Sequence, residues 1–169
     1  ETIYPQISAE ATINDFSMHD SVNELRLKGL DAAIRYENNA AVVELQTSDA
    51  VIELNSLLRN PISAEILQGR LTLERNEGCW LIETGKLQLK NAHINSFSRF
   101  KVKLSADKNI FIDAQTNFYD AYGKYATYYL PVGIMKPKLI NWLDMAVTDG
   151  YVPSGSFILY GDLGSFPYE

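Results

Sequence analysis

Residues 25–45 read LRLKGLDAAIRYENNAAVVEL. Leu25 and Leu27 alternate with Glu24, Arg26 and Lys28, a period of two that marks a strand with one apolar and one polar face. A two-residue turn at Asn38–Asn39 pairs Tyr36 with Ala41, Ile34 with Val43 and Ala32 with Leu45. All three pairs then share a face, as a stable register requires. Asn tolerates the positive φ of such a turn. The apolar series Leu25, Leu27 resumes at Leu30, Ala32, Ile34, one residue late, with Gly29 in the gap. An extra residue at a glycine is the mark of a β-bulge, and equally of one strand ending and another beginning.

The same period extends outward over about residues 6–118. It recurs at Ile7–Ile13, Leu71–Leu73, Leu87–Leu89, Phe100–Leu104 and Ile110–Ile112. A four-residue loop at Arg75–Gly78 pairs Leu73 with Trp80 and Leu71 with Ile82. A three-residue loop at Asp107–Asn109 pairs Leu104 with Ile112 and Val102 with Ala114. Gly85 interrupts Trp80, Ile82, Thr84 before Leu87, with the same two readings as Gly29. Residues 55–61 read as a loop ended by Pro61. A Tyr-rich connector, loop or short helix, is expected over 119–136. Leu139, Trp142, Leu143 and Ala146 then fall at helical spacing, and Pro137 and Gly150 bound a helix over 137–149. A last strand is expected at 156–161, after a turn at Pro153-Ser154-Gly155. The fold class is mainly β: one long curved antiparallel sheet in a single segment, 1–169, with one late amphipathic α-helix. Strands and helices do not alternate as a parallel sheet would need.

Composition narrows the function classes. The chain is 46% hydrophobic and 21% charged with net charge −6, which excludes intrinsic disorder. The lone Cys79 excludes a disulfide scaffold and reads as a small buried hydrophobe beside Trp80. The acidic balance argues against nucleic acid as a partner. No apolar run approaches the roughly 20 residues of a membrane span. The chain opens at Glu1 without a methionine or signal segment, so an internal piece of a longer protein is expected.

A search for chemistry returns little. His19 and His93 stand apart, outside any metal spacing, and both read as solvated loop residues. No phosphate-binding loop, dinucleotide fingerprint or nucleophile elbow occurs. Glu44 with Glu53, or Glu83 with Asp113, are the acid pairs open to glycoside chemistry, but all lie on the polar parity of their strands. The basic strand Arg99–Lys103 reads as a mixed, edge-protecting face. The tyrosines at 119, 122, 125, 128 and 129 read as packing over the sheet end, with a carbohydrate or lipid platform as the alternative. No catalytic residue, metal or cofactor is expected.

One string is distinctive: Tyr129-Leu130-Pro131, Lys138–Asp144, Ala146, Gly150, Gly155, Gly161-Asp162-Leu163 and Phe166-Pro167-Tyr168. It resembles the AsmA-like proteins of Gram-negative bacteria, and within them the YhdP type. Tyr168 departs from the Phe expected there. Upstream, Phe16-Ser17, Leu25–Ala32, Gly69-Arg70-Leu71 and Gly78-Cys79-Trp80 are compatible. The resemblance implies a taco-shaped β-groove with an apolar interior, in a periplasmic protein anchored in the inner membrane by a helix outside this fragment. It implies a bridge-like phospholipid carrier with no enzymatic activity. Its partners would be phospholipid acyl chains and neighbouring segments of the same long chain, with membrane contact only through parts outside the fragment.

The residues fit that expectation in one respect. A strongly bent sheet with one apolar face and one helix has little with which to cover that face, and an uncovered apolar groove marks a ligand or partner site. Acyl chains need only a continuous apolar lining, at about 0.8 kcal/mol per buried CH₂. The candidate lining is Leu25, Leu27, Ile34, Val43, Leu45, Leu71, Leu73, Trp80, Ile82, Leu87, Leu89, Val102, Leu104 and Ile112. Each residue has plain core as its bland alternative. Leu139, Trp142 and Leu143 are the candidate groove-end helix, with Trp142 turned inward. A structural or interaction module without lipid binding of its own is the competing function.

Overall fold

A computed structural model describes residues 7–22, 24–76, 78–107 and 109–165. Glu77, Lys108 and the closing Phe166-Pro167-Tyr168 of the distinctive string lie outside these residues, as does Glu1. The strands are β1 Ser8–Asp20, β2 Leu25–Glu37, β3 Ala40–Thr47, β4 Ala50–Leu54, β5 Ile62–Ala64, β6 Ile66–Asn76, β7 Cys79–Lys90, β8 Asn95–Leu104, β9 Ile110–Tyr122 and β10 Tyr151–Asp162. All join one 10-stranded antiparallel sheet that curls into a half-barrel.

The sheet is an up-and-down meander. β3 and β4 lie end to end along one side of β2, and β1 covers the other side. β5 and β6 likewise lie end to end against β4 and β3. From there β6, β7, β8, β9 and β10 follow in order; β1 and β10 are the long edges, and the three-residue β5 pairs with β4 alone among the described strands.

The Asn38–Asn39 hairpin closes in the expected register, with both residues at positive φ, 51° and 63°. The other two hairpins close two residues out of the expected register, in opposite directions. Leu73 faces Ile82 and Leu71 faces Thr84, while Val102 faces Ile112 and Leu104 faces Ile110. A slip of two preserves every face, so alternation alone does not detect it.

Both glycine gaps are bulges inside continuous strands. On β2, Leu27 and Leu30 face Met18 and Phe16 of β1, and Gly29 between them has φ 74°. On β7, Thr84 and Leu87 face Phe100 and Ser98 of β8. Gly29 belongs to a crease. Asp15 on β1 (φ 50°) and Asp49 between β3 and β4 (φ 59°) stand at the same level, and Glu65 separates β5 from β6 there. A β-carbon on Gly29 would meet the Asp49 carbonyl oxygen at 3.3 Å.

The core sits on this crease. Ala50, Ala64 and Leu67 are buried, with Leu30, Leu45, Ile52, Leu87 and Leu89 packed around them. Two alanines let the backbones approach where the curl is tight. The chain exposes 11373 Å², whereas a compact monomer of 19.0 kDa would expose about 8,400 Å². The curled sheet is therefore open.

The C-terminal third differs in extent from the sequence expectation. β9 runs on to Tyr122, and a 3-10 helix Gly123–Tyr129 opens the connector. The helix α1 spans Pro137–Ala146, ending short of 149. β10 begins at Tyr151, five residues before the expected 156. Pro153 sits within it because an edge strand has a side that donates no ladder hydrogen bond.

Candidate functional site

In an antiparallel pair, directly opposed residues point to the same face. Leu25 faces Leu54, and Leu27 faces Ile52. Ile34 faces Val43, Val43 faces Leu71, and Leu71 faces Thr84. Leu73, Ile82, Val102 and Ile112 form one row across four strands, and Trp80, Leu104 and Ile110 form the next. Leu45, Leu87 and Leu89 join through Gly69 and Leu67. Every residue of the candidate lining thus falls on one face of the sheet, hereafter the inner face.

Burial of these side chains is uniform and partial. Trp80 is 44% exposed, and the remainder are half-buried. None is sealed in a closed core. The register adds residues that the sequence reading left out of the lining: Ile52, Leu54, Ile62, Leu67, Phe100, Phe157 and Leu159. Phe100 and Leu159 were legible, since both keep the parity of their strands.

The face is not uniformly apolar. Ser98 Oγ and Thr116 Oγ1 lie 2.8 Å apart on it, and Ser96 Oγ donates to the Leu89 carbonyl at 3.2 Å. The buried Thr84 hydroxyl has no partner among the described residues.

The outer face carries the charge. Glu83 pairs with Lys101, Arg35 with Glu10 at 2.6 Å, and Arg26 with Glu53 at 3.7 Å. Glu44 and Asp113 stand on the same side. Glu83 and Asp113 share an open depression there with Arg70, Arg99 and Lys101, and Lys101 already pairs with Glu83. β8 lies between β7 and β9. Its Arg99–Lys103 stretch therefore protects no edge, contrary to the sequence expectation. Cys79 is only half-buried, because it starts β7 on the outer parity. His19 is exposed but belongs to β1, opposite Arg26, and not to a turn.

One end of the half-barrel is capped. Residues 123–150 leave β9 and cross that end before returning to β10. Their root is an aromatic nest in which His93 stacks on Tyr125, with Tyr128 edge-on at 5.4 Å. Asn91 Nδ2 donates to both the Ser63 carbonyl at 2.7 Å and the Tyr129 hydroxyl at 3.0 Å. Burial holds His93 below the usual imidazole range, Lys124 adds to this, and Glu65 opposes it. Burial likewise raises the Tyr129 hydroxyl, against the Asn91 hydrogen bond. His93 is thus not the solvated residue the sequence suggested. The tyrosines do pack over the sheet end, while Tyr119 and Tyr122 stay exposed.

The far side of the cap reaches the β4–β5 loop. Gly133 N–H donates to the Leu57 carbonyl at 3.0 Å, and Arg59 pairs with Asp144 of α1 at 3.0 Å. Leu143 is half-buried, Leu139 is 42% exposed and Trp142 is 59% exposed. The inward Trp142 expected from the sequence is therefore corrected. The helix docks through its acidic side and the preceding turn, and Trp142 faces water. No helix among the described residues is long and apolar enough to cross a membrane.

These features define a class: an open, curled antiparallel β-groove with an apolar concavity, a charged convex side and one capped end. The family described as "YhdP protein" matches residues 1–169, and the chain belongs to that family. No curated protein and no solved structure matched the chain.

Proposed function

We propose that the chain is a non-enzymatic, periplasmic segment of a bridge-like phospholipid carrier of the Gram-negative envelope, holding acyl chains against its inner face. One observation carries the reading: a mainly apolar face spans the strands from β2 to β10, and away from the capped end its side chains stay partly exposed. Apolar surface left open on this scale is costly in water, and acyl chains relieve that cost without directional bonds. Leu73, Ile82, Val102 and Ile112 form the middle of the lining.

Native mass spectrometry of the chain purified from Gram-negative cells tests this. Phospholipid is expected to co-purify with the parent and to be lost from Val102→Asp, with the circular dichroism of the sheet unchanged. A parent free of lipid, or a lipid-bearing V102D, rejects the reading.

A second reading has its own support. β10 is a free edge with Phe157, Ile158 and Tyr160 exposed. Between Pro153 and Asp162 it lacks the bulge and charges that blunt β1, and bare edges recruit strands. Neighbouring segments of the same long chain are the proposed partners of that edge.

A further inference from the structure

The uncapped end of the groove has a chemical asymmetry. Among the described residues, Arg75 is the one cation that the strand register places on the inner face, opposite Trp80 on the outermost rung. Its guanidinium carbon lies 5.6 Å from the centre of the Trp80 ring. Arg26, Arg35 and Arg59 each pair with a carboxylate. Arg75 has no carboxylate within ion-pair distance among the described residues. Behind it the wall turns apolar at once, with Leu73 and Ile82 on the next rung in, and Leu104 and Ile110 level with Trp80.

A guanidinium resting on an indole keeps its in-plane N–H fork free, and that fork matches the paired oxygens of a phosphate. An exposed Trp beside it suits the border between apolar wall and water. Among the described residues, the inner-face anions that the strand register gives, Asp20 and Asp120, sit at the opposite, capped end.

We infer that Arg75 and Trp80 form a phosphate-reading rim at the open end of the groove, which takes the headgroup phosphate of a glycerophospholipid while its acyl chains lie along the inner face. This rests on the lipid-groove reading above. It adds an orientation: head at the Arg75 end, tails toward the cap.

The test uses the Trp142→Phe protein, which leaves Trp80 as the one tryptophan of the two. Trp80 fluorescence is followed during titration with short-chain phosphatidylglycerol below its micelle concentration, and with diacylglycerol of the same chains. In the Arg75→Gln variant, phosphatidylglycerol binding is expected to weaken about three- to ten-fold, as for a rim charge pair. Diacylglycerol binding is expected to stay unchanged. Arg75→Lys should recover part of the loss, and the difference should shrink in high salt. Unchanged phosphatidylglycerol affinity in R75Q overturns the assignment, and so does an equal loss for both lipids. Competition by millimolar inorganic phosphate would mean a free-anion site and also overturns it. If the parent binds diacylglycerol but R75Q does not discriminate, the groove stands and the rim falls. If the parent binds neither lipid, both fall.

Discussion

The imidazole of His93 lies flat on the ring of Tyr125, with centroids 3.6 Å apart and planes 12° apart. Its Nδ1 is buried without a hydrogen-bond partner among the described residues. The folded state therefore prefers the neutral ring. Its pKa falls below the usual imidazole value because of burial first and Lys124 second. The unfolded chain then binds the proton more readily, so stability is full above that value and is lost as pH falls through it. Thermal melts at pH 7 and pH 5 should show a drop for the parent and a smaller one for His93→Gln. An equal drop in both would locate the pH dependence elsewhere.

Leu67 and Trp142 should invert the ranking that side-chain size suggests. Leu67 is 4% exposed in the core cluster, and Trp142 is 59% exposed. Leu67→Ala should cost about 2–5 kcal/mol in urea denaturation. Trp142→Ala should stay within about 0.5 kcal/mol, as surface changes usually do. Helical spacing alone would have placed Trp142 inward at a cost of about 3–5 kcal/mol.

Two glycines should respond oppositely to alanine. A β-carbon at Gly133 would lie 1.9 Å from the Ser56 carbonyl oxygen, so the cap must lift from the β4–β5 loop. Gly133→Ala should cost about 1–3 kcal/mol, in line with overpacking. At Gly85 nothing lies within 4 Å. Gly85→Ala should be neutral or stabilising by up to about 1 kcal/mol. Chemical denaturation of both variants checks the contrast.

The Asn38–Asn39 turn holds two non-glycine residues at positive φ. Glycine adopts that region without steric cost, and Asn-Gly is the preferred pair for such turns. Asn39→Gly should therefore raise stability by about 0.5–1 kcal/mol, measured as a shift of the denaturation midpoint at constant slope.

Much of this architecture is written in parity. The inner face could be listed from Leu25 to Ile112 because each strand alternates and each turn keeps the phase. The same rule could not fix the hairpins at residues 75–80 and 104–112, where a slip of two leaves every side chain on its own face. Gly29 marked a bulge or a strand break, without choosing between them, and gave no sign of its alignment with Asp15 and Asp49, which depends on which strands become neighbours. The pairing of β4 with β2 was likewise hidden, since it continues the edge that β3 begins. His93 gave no local signal of its nest, because Tyr125 and Tyr128 reach it only after β9 has crossed back. The distinctive C-terminal string carried the family, and the family match over residues 1–169 agrees with it.

The line of irregular residues through Asp15, Gly29, Asp49 and Glu65 has a mechanical meaning. Ladder pairing is continuous above and below it and interrupted along it. The sheet at this margin resembles two stiff panels joined along a fold line in card. Bending about that line breaks few hydrogen bonds, whereas bending across a panel breaks many. Any change in the bore of the concavity therefore breaks the fewest ladder hydrogen bonds along that line.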